Sequence, residues 1–133
     1  MNQERVRELL DRMAPWVRAL GLQPVEVSDT EVVLRLPFSG DLRHGSGVIC
    51  GQVYSAAADT AMIIAISAAL GDFRPMSTVA INTQLMRTVR TGDLLIKARV
   101  LRTGRHLVFG EVCLYDDIGA LAAHVTTTYA LAG

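Results

Sequence analysis

The stretch VICGQVYSAAADTAMIIAISAAL, Val48 to Leu70, is apolar along almost its whole length, and Asp59 is its only charged residue. As a helix it would be long enough to cross a bilayer, since a span takes about 20 residues. A carboxylate at the centre of a span costs about 2.5–3.5 kcal/mol on insertion scales, and the chain offers no second span to pack against it. We therefore expect no membrane span, and the stretch predicts a helix buried nearly all round.

Length and composition describe one ordinary globular domain, residues 1–133. Half of the residues are hydrophobic and the formal net charge is zero. A chain without excess positive charge is a poor binder of phosphate backbones, so we expect no nucleic-acid partner. Cys50 and Cys113 match no metal or redox spacing, and the opening MNQERVRELLDRM is too charged for a signal peptide. We expect a reducing, cytoplasmic setting.

The order of elements predicts an α+β fold. Apolar residues at helical spacing predict an amphipathic helix over 2–20, within an N-terminal segment 1–21 that ends at Gly21. A β-hairpin follows around Ser28–Asp29, then the apolar helix. Four strands are expected after it, at Met76–Arg87, Leu94–Arg102, Leu107–Tyr115 and Ala120–Leu131. A long central helix wrapped by a curved antiparallel sheet is the hotdog architecture.

The central helix carries one narrow polar stripe. At 100° per residue, Gln52, Ser55 and Asp59 fall within about 60° of each other, and Met62, Ile63 and Ile66 continue that face as an apolar floor. Asp59 could be structural, pairing with a buried Arg or Ser, or it could be a general base or nucleophile above an apolar pocket. We favour the catalytic interpretation, because a catalytic carboxylate needs a cleft floor beneath it and a structural one does not.

The segment before the helix, HGSGVICG, brings glycines and N–H groups to the helix N-terminus. The first-turn N–H groups have no helical partner and lie at the positive end of the dipole, so they can stabilise an oxyanion. His44 is either a solvent-exposed loop histidine or part of the site. Cys50 could be an activated thiol, although most buried cysteines are inert.

Positive charge is concentrated in the C-terminal half of the chain. Between Gln84 and His106 lie six basic residues and one acidic residue: Arg87, Arg90, Lys97, Arg99, Arg102 and Arg105 against Asp93. They could form a solvated sheet face, or a clamp for a phosphorylated ligand, because arginine forks suit phosphate oxygens. An apolar pocket with a carboxylate and an arginine-rich rim fits an acyl group on coenzyme A.

Residues 35–133 resemble the hotdog-fold acyl-CoA thioesterases of the phenylacetate-pathway (PaaI-like) type, in the 4-hydroxybenzoyl-CoA thioesterase superfamily. The resemblance lies in GQVYSAAADTA, STVAINTQLMR, the Thr91–Gly92–Asp93 turn before LLIKARVL, the TGR turn and the closing ALAAHVTTTYAL. It implies that the N–H of Gly51 holds the thioester oxygen, and that Asp59, eight residues later, attacks or activates water. It also places His44 at a position that lines related sites.

These observations together predict an acyl-CoA thioesterase with catalytic residues Asp59, Gly51 and His44. The predicted substrate contacts are Gln52, Ser55, Met62, Ile63, Ile66, Asn82, Arg87, Arg90 and Arg105. No metal or organic cofactor is implied, apart from coenzyme A as part of the substrate. We expect a dimer or a dimer of dimers whose active site is shared between subunits, because one helix cannot hold both Gly51 and Asp59 against one thioester.

Two other functions stay open. A hotdog enoyl-acyl hydratase or dehydratase uses a histidine–carboxylate pair, which His44 and Asp59 could supply. A non-catalytic acyl-CoA binding protein is the other, because a fold does not determine a function.

Overall fold

The computed structural model describes all residues, Met1–Gly133. Two short helices, α1 (Gln3–Asp11) and α2 (Pro15–Arg18), precede a hairpin and a long helix. The remaining elements, in chain order, are β1 (Gln23–Val27), β2 (Glu31–Leu36), a 3₁₀ turn at Gly40–Leu42, α3 (Gly51–Leu70), β3 (Met76–Leu85), β4 (Leu94–Thr103), β5 (Leu107–Tyr115) and β6 (Leu121–Leu131). The predicted hairpin and four strands are confirmed, with ends shifted by at most two residues.

All six strands form one antiparallel sheet in the order β1-β2-β4-β5-β6-β3. β4 shows why one face covers the helix. Leu94, Ile96 and Ala98 are buried, while Lys97 and Arg99, which alternate with them, are more exposed, as the period of two requires. The sheet therefore has an apolar inner face, and with α3 against that face the chain has the predicted hotdog fold.

α3 occupies the middle of the domain, and eleven of its twenty residues are buried. By length and composition α3 is the one helix that could span a membrane, but 67% of its apolar 18-residue stretch is buried inside the domain. Gly71 ends it at φ 98°, a left-handed conformation that glycine adopts without a steric penalty. α3 is the core helix of the fold, as its sequence predicts.

The N-terminal prediction was wrong in one respect: residues 2–20 form two helices, not one. α1 ends at Asp11, and Ala14 is extended at φ −55° and ψ 148°. The cause is Pro15, which has no N–H to donate and restricts the residue before it to extended backbone. The chain turns at this point, and Pro15 starts α2 at a position that favours proline.

β5 packs closely against α3 at Gly110, where it has no side chain. A Cβ atom at Gly110 would overlap the fully buried side chain of Met62 and lie 3.1 Å from the backbone oxygen of Arg99 in β4. The backbone oxygen cannot move far, and the end of the Met62 side chain can turn away only by displacing its close-packed neighbours. Gly110 therefore lets the sheet curl against the helix.

We predict that Gly110→Ala lowers the free energy of unfolding by about 1–3 kcal/mol through overpacking. Chemical denaturation measures this change. Gly45→Ala is the matched control, since a Cβ at Gly45 meets nothing within 4 Å. In a Met62→Ala background the cost of Gly110→Ala should shrink, and an unchanged cost would show that Met62 does not set the spacing.

Candidate active site

The carboxylate of Asp59 is held on one oxygen by two hydroxyl groups from the sheet. Thr78 in β3 donates to Oδ1 at 3.0 Å, and Tyr129 in β6 donates to the same atom. Tyr129 is fully buried, and burial, followed by its bond to Asp59, raises the pKa of Tyr129 above its usual value. The phenol therefore stays protonated and remains a donor to the carboxylate.

The second oxygen of Asp59 is free. Oδ2 makes no hydrogen bond within the chain and is not enclosed in the core. Donors on Oδ1 hold the carboxylate in one orientation and satisfy one side of it, while Oδ2 can accept a proton or attack an electrophile. A carboxylate oriented in this way has the geometry of a general base or a nucleophile.

Asp59 opens onto a depression with a volume of about 480 Å³. The Asp59 depression, as we call it, is lined by Trp16, Gly51, Gln52, Ser55, Ala56, Asp59, Ile81, Thr83 and Leu85. The predicted polar stripe is therefore assembled along one cleft, where Ser55 shares a hydrogen bond of 2.8 Å with Thr83. This volume lies within the range of about 300–1,000 Å³ that is usual for small-molecule sites.

Gly51 is the first residue of α3, and its N–H makes no hydrogen bond in the chain. Cys50 precedes it in extended backbone and makes no side-chain cap, and the N–H of Val53 donates to the backbone oxygen of Cys50 at 3.0 Å, so the N–H groups of Gly51 and Gln52 stay available. These donors lie at the positive end of the α3 dipole, and they can bind an oxygen that carries negative charge.

His44 lies in a second pocket, with a volume of about 240 Å³, which shares Gly51 and Leu85 with the Asp59 depression. The backbone N–H of Ser46 donates to His44 Nδ1 at 3.1 Å, so in the neutral ring the proton is on Nε2. Tyr54 lines the same pocket; its buried hydroxyl has no partner, and burial raises its pKa. Within one chain, His44 and Asp59 do not pair.

The predicted apolar floor lies elsewhere. Met62 and Ile66 are fully buried in the core against the sheet, and Ile63 lines a separate small pocket with Leu9 and Phe73. Their angles around the helix axis predicted that all three would lie near Asp59. In the structure Met62 packs against Gly110 of the sheet, and Ile63 lies beside Leu9 of α1. None of the three lines the Asp59 depression in the single chain.

Asn82 points away from the depression. Thr83, its neighbour in β3, bonds to Ser55 on the helix side, so alternation puts Asn82 on the outer face. There Asn82 accepts a hydrogen bond from Gln84 at 3.0 Å. Thr83, not Asn82, is the polar residue at this point of β3 that faces α3.

The three predicted phosphate ligands lie at two ends of the sheet. Arg90 donates to the backbone oxygen of Ser46 at 3.2 Å and Arg87 lies 3.7 Å from Asp116, both near the start of α3. Arg105 lies in the β4–β5 turn at the opposite end. A strand of ten residues spans about 33 Å, so one chain cannot place all three on one phosphate.

Several residues of the site were absent from the sequence predictions: the two donors to Asp59, Thr78 and Tyr129, and, among the residues that line the depression, Trp16, Ala56, Ile81, Thr83 and Leu85. Thr78 and Tyr129 are direct partners across β3 and β6, so both face the helix. The polar residues within the apolar pattern of β6 were a signal that a buried group needs partners. No sequence pattern around Trp16 indicated that it lies at the cleft. It reaches the cleft because the chain turns between α1 and α2, before Pro15.

The sequence profile of the thioesterase superfamily matches residues 46–123, more than half of the chain. The chain belongs to the thioesterase superfamily. A candidate esterase of Thermoplasma volcanium, TV1331, is 25% identical over 124 residues, which cover 87% of this chain and 86% of that protein. Membership of this family supports a hydrolase that acts on thioesters.

Solved structures show the same fold. The thioesterase HI1161 of Haemophilus influenzae superposes with a TM-score of 0.90 at 20% identity, covering all of this chain and 92% of that one. The PaaI protein of the Escherichia coli phenylacetic acid degradation operon superposes with a TM-score of 0.85 at 14% identity, covering 98% and 92%. The resemblance drawn from the sequence is confirmed.

We predict that Tyr129→Phe lowers kcat for thioester hydrolysis about tenfold with little change in KM. A hydrogen bond to a charged group contributes about 1.5–3 kcal/mol, and its loss frees the carboxylate to rotate. Steady-state kinetics measure the change, and a melting curve verifies the fold. Tyr115→Phe on the outer face is the matched control, and equal rates for both variants would show that Tyr129 does not position Asp59.

Proposed function

We infer that the protein hydrolyses an acyl-CoA thioester to a free acid and coenzyme A. The carbonyl oxygen is bound by the N–H of Gly51, and Asp59 acts through Oδ2. It either removes a proton from the attacking water or attacks the carbonyl itself to form an anhydride that water then opens. A cytoplasmic location and the absence of a resident cofactor belong to this proposal.

The observation that carries the proposal is the way in which the carboxylate of Asp59 is bonded and exposed. Its Oδ1 is fixed by two donors, its Oδ2 is free, and both lie at a cleft of substrate size. Two donors on Oδ1 fix the orientation of the carboxylate, and the exposed Oδ2 is left where a water or a substrate carbonyl can reach it.

The packing of α3 against β3 supports a site shared between two subunits. The helix and the strand run antiparallel, with Gly51 beside Leu85, Ser55 beside Thr83 and Asp59 beside Thr78. If two β3 edges paired antiparallel about their middle, Asp59 of one subunit would face Gly51 of the partner subunit. A twofold axis would then form two equal sites.

The free edge of β3 favours this pairing. β3 ends the sheet, is ten residues long and exposes the apolar side chains of Val79, Ile81 and Leu85. Natural proteins rarely leave such an edge uncovered. The same axis would bring Arg105 of the partner subunit to the end where Arg87 and Arg90 lie, so we keep all three as candidates for the coenzyme A phosphates.

The hydratase and the non-catalytic binding protein gain no support from the structure. A hydratase pairs a histidine with the carboxylate, whereas within one chain His44 bonds to Ser46 and lines a different pocket from Asp59. A protein that only binds acyl-CoA has no chemical use for a carboxylate with one oxygen held by hydrogen bonds and the other accessible.

We predict that Asp59→Asn keeps the fold and lowers turnover by about 10²–10⁴-fold, because the amide is neither a base nor a nucleophile. The assay is free-thiol release from a panel of acyl-CoAs, with enoyl-CoA hydration measured in parallel. Asp29→Asn, in the β1–β2 turn, is the matched control. Wild-type protein that hydrates an enoyl-CoA and releases no thiol would replace our proposal with the hydratase.

We predict that two inactive variants restore activity in mixed dimers. Asp59→Ala removes the catalyst, and Gly51→Pro removes the oxyanion donor at a position whose backbone suits proline, because Cys50 is already extended at φ −61° and ψ 140°. A Cβ at residue 51 would lie 2.9 Å from Leu85 Cδ1, so the exposed Leu85 side chain must turn away to admit the ring. Co-refolding forms about half mixed dimers, each with one intact site, so about a quarter of wild-type activity should return.

Each variant refolded alone is the control, and light scattering must first find dimers. Mixed dimers that form and stay inactive would show that both groups act within one chain.

A further inference from the structure

The outer face of the sheet, which turns away from α3, carries exposed apolar side chains at the end where β4 and β5 are joined. Leu107 and Phe109 lie on this face, because Gly110, the next residue of β5, packs on Met62 of α3. Leu101 lies across the hairpin, where the register of β4 against β5 shifts. The exposed fractions of Leu101, Leu107 and Phe109 are 53%, 40% and 38%. We call these three residues the hairpin patch.

Three arginines lie at the same end of the sheet. Arg102 is the cross-strand partner of Phe109, and Arg105 lies in the β4–β5 turn. Arg74 donates to the backbone oxygen of Ala132 at 2.9 Å, just beyond the end of β6. None of the three arginines makes an ion pair. Their positive charge is therefore available to a partner.

Acidic side chains are missing from this end of the sheet. The chain segments that meet here contain no Asp or Glu: residues 74–80, 99–110 and 128–133. A fourth arginine, Arg99, bonds to Glu111 at 2.9 Å and lies opposite Glu31 of β2, so the acidic residues begin at that row. The hairpin patch thus lies in a positively charged surrounding, although the whole chain has no net charge.

This composition favours one kind of partner. An exposed apolar patch marks a surface that binds a protein or a membrane. A second copy of the chain, docked face to face through the hairpin patch, would bring the same arginines together, and like charges oppose such a contact. A peptide helix needs a groove, and none of the cavities described above reaches the patch. A lipid surface needs no groove, takes up apolar side chains and attracts arginines to its anionic headgroups.

We propose that the hairpin patch docks the protein onto a membrane surface that contains anionic lipids. Leu101, Leu107 and Phe109 enter the boundary between headgroups and acyl chains. Arg102 and Arg105 bind lipid phosphates, while their apolar stems stay among the other side chains of the patch. No segment crosses the bilayer, since α3 stays in the core. This inference does not depend on thioester hydrolysis.

The proposed pairing of two β3 edges would strengthen the docking. Antiparallel strands that pair within one continuous sheet are related by a twofold axis perpendicular to that sheet, so the outer faces of both subunits lie on the same side. Two hairpin patches would then meet one membrane. A single weak anchor gives marginal and reversible attachment, whereas two anchors together hold a protein at the surface.

The test is sedimentation with phosphatidylcholine vesicles, with and without an equal part of phosphatidylglycerol. Wild-type protein should sediment with the mixed vesicles only, and added salt should release it by screening the attraction. Arg102→Gln combined with Arg105→Gln should lower the partition coefficient about 25-fold, because each arginine near such a surface contributes about fivefold. Leu101→Ser should lower it about fivefold through lost apolar contact.

Two matched controls change the same chemistry elsewhere. Arg12→Gln combined with Arg18→Gln removes the same charge from exposed positions of the N-terminal segment. Ile118→Ser removes an apolar side chain that is 78% exposed in the β5–β6 turn, at the opposite end of the sheet. Both controls should partition like the wild type. Equal losses in the controls and in the patch variants would overturn the inference, because net charge or general surface hydrophobicity would then explain the binding.

Tryptophan fluorescence tests the location directly. Trp16 is the only tryptophan, so Phe109→Trp in a Trp16→Phe background leaves one reporter, and Leu101→Trp gives a second at a more exposed position. Mixed vesicles should shift the emission of both reporters to the blue, and lipids with brominated acyl chains should quench it. Ile118→Trp in the same background should show neither effect. Reporters that fold, as a melting curve verifies, and ignore the mixed vesicles would overturn the inference.

Other occupants of the hairpin patch give different results. If a second copy covers it, light scattering should find an assembly that Leu101→Ser dissociates, and the wild type should not bind the mixed vesicles. If an acidic protein covers it, polyglutamate should bind the wild type and the mixed vesicles should not. Either result would overturn the membrane assignment and leave the proposed hydrolysis standing.

Discussion

The constraint on which the structure depends is the covering of an apolar helix of twenty residues by a single sheet. Water must be excluded from nearly all of α3, and one sheet can curl around it only where side chains are small. Gly110 and the alanines of α3 provide that closeness, and Met62 fills the space that remains. The part of the helix that lies along β3, the free edge of the sheet, is the part that carries Gln52, Ser55 and Asp59. The location of the cleft therefore follows from how far the sheet can wrap.

A carboxylate in such a helix needs partners, and the sheet supplies them from two strands. Tyr129 and Thr78 are cross-strand neighbours on the inner face, so their hydroxyls reach the same oxygen of Asp59. Because both donors bind one oxygen, the arrangement lowers the cost of partial burial and still leaves a reactive atom at the surface. The two hydrogen bonds that stabilise Asp59 within the fold therefore also orient it for the proposed chemistry.

Periodicity was enough to predict the elements and the fold, since α3 and β4–β6 have long patterns that admit one interpretation each. It was not enough for the site. Asn82 and Thr83 are adjacent polar residues on an edge strand, and only the register with β6 shows which one faces the helix. The helical wheel gave the correct angle for Met62, but it contained no information on which neighbour covers that angle. Tyr129 and Trp16 reach the site through contacts distant in sequence, which no local pattern encodes.

The antiparallel packing of α3 on β3 explains why the proposed site would need two subunits. Gly51 and Asp59 lie eight residues apart, about 12 Å along the helix axis, and a thioester needs its oxyanion donor and its attacking group within a few ångströms of one carbon. Since β3 is both the neighbour of that helix face and the free edge of the sheet, the contact that would cover the edge is the one that would bring the two ends of two helices together. If Gly51 and Asp59 act as proposed, a single chain holds them too far apart to act on one thioester. On the proposed mechanism, association through the β3 edge completes the sheet and the site in one step.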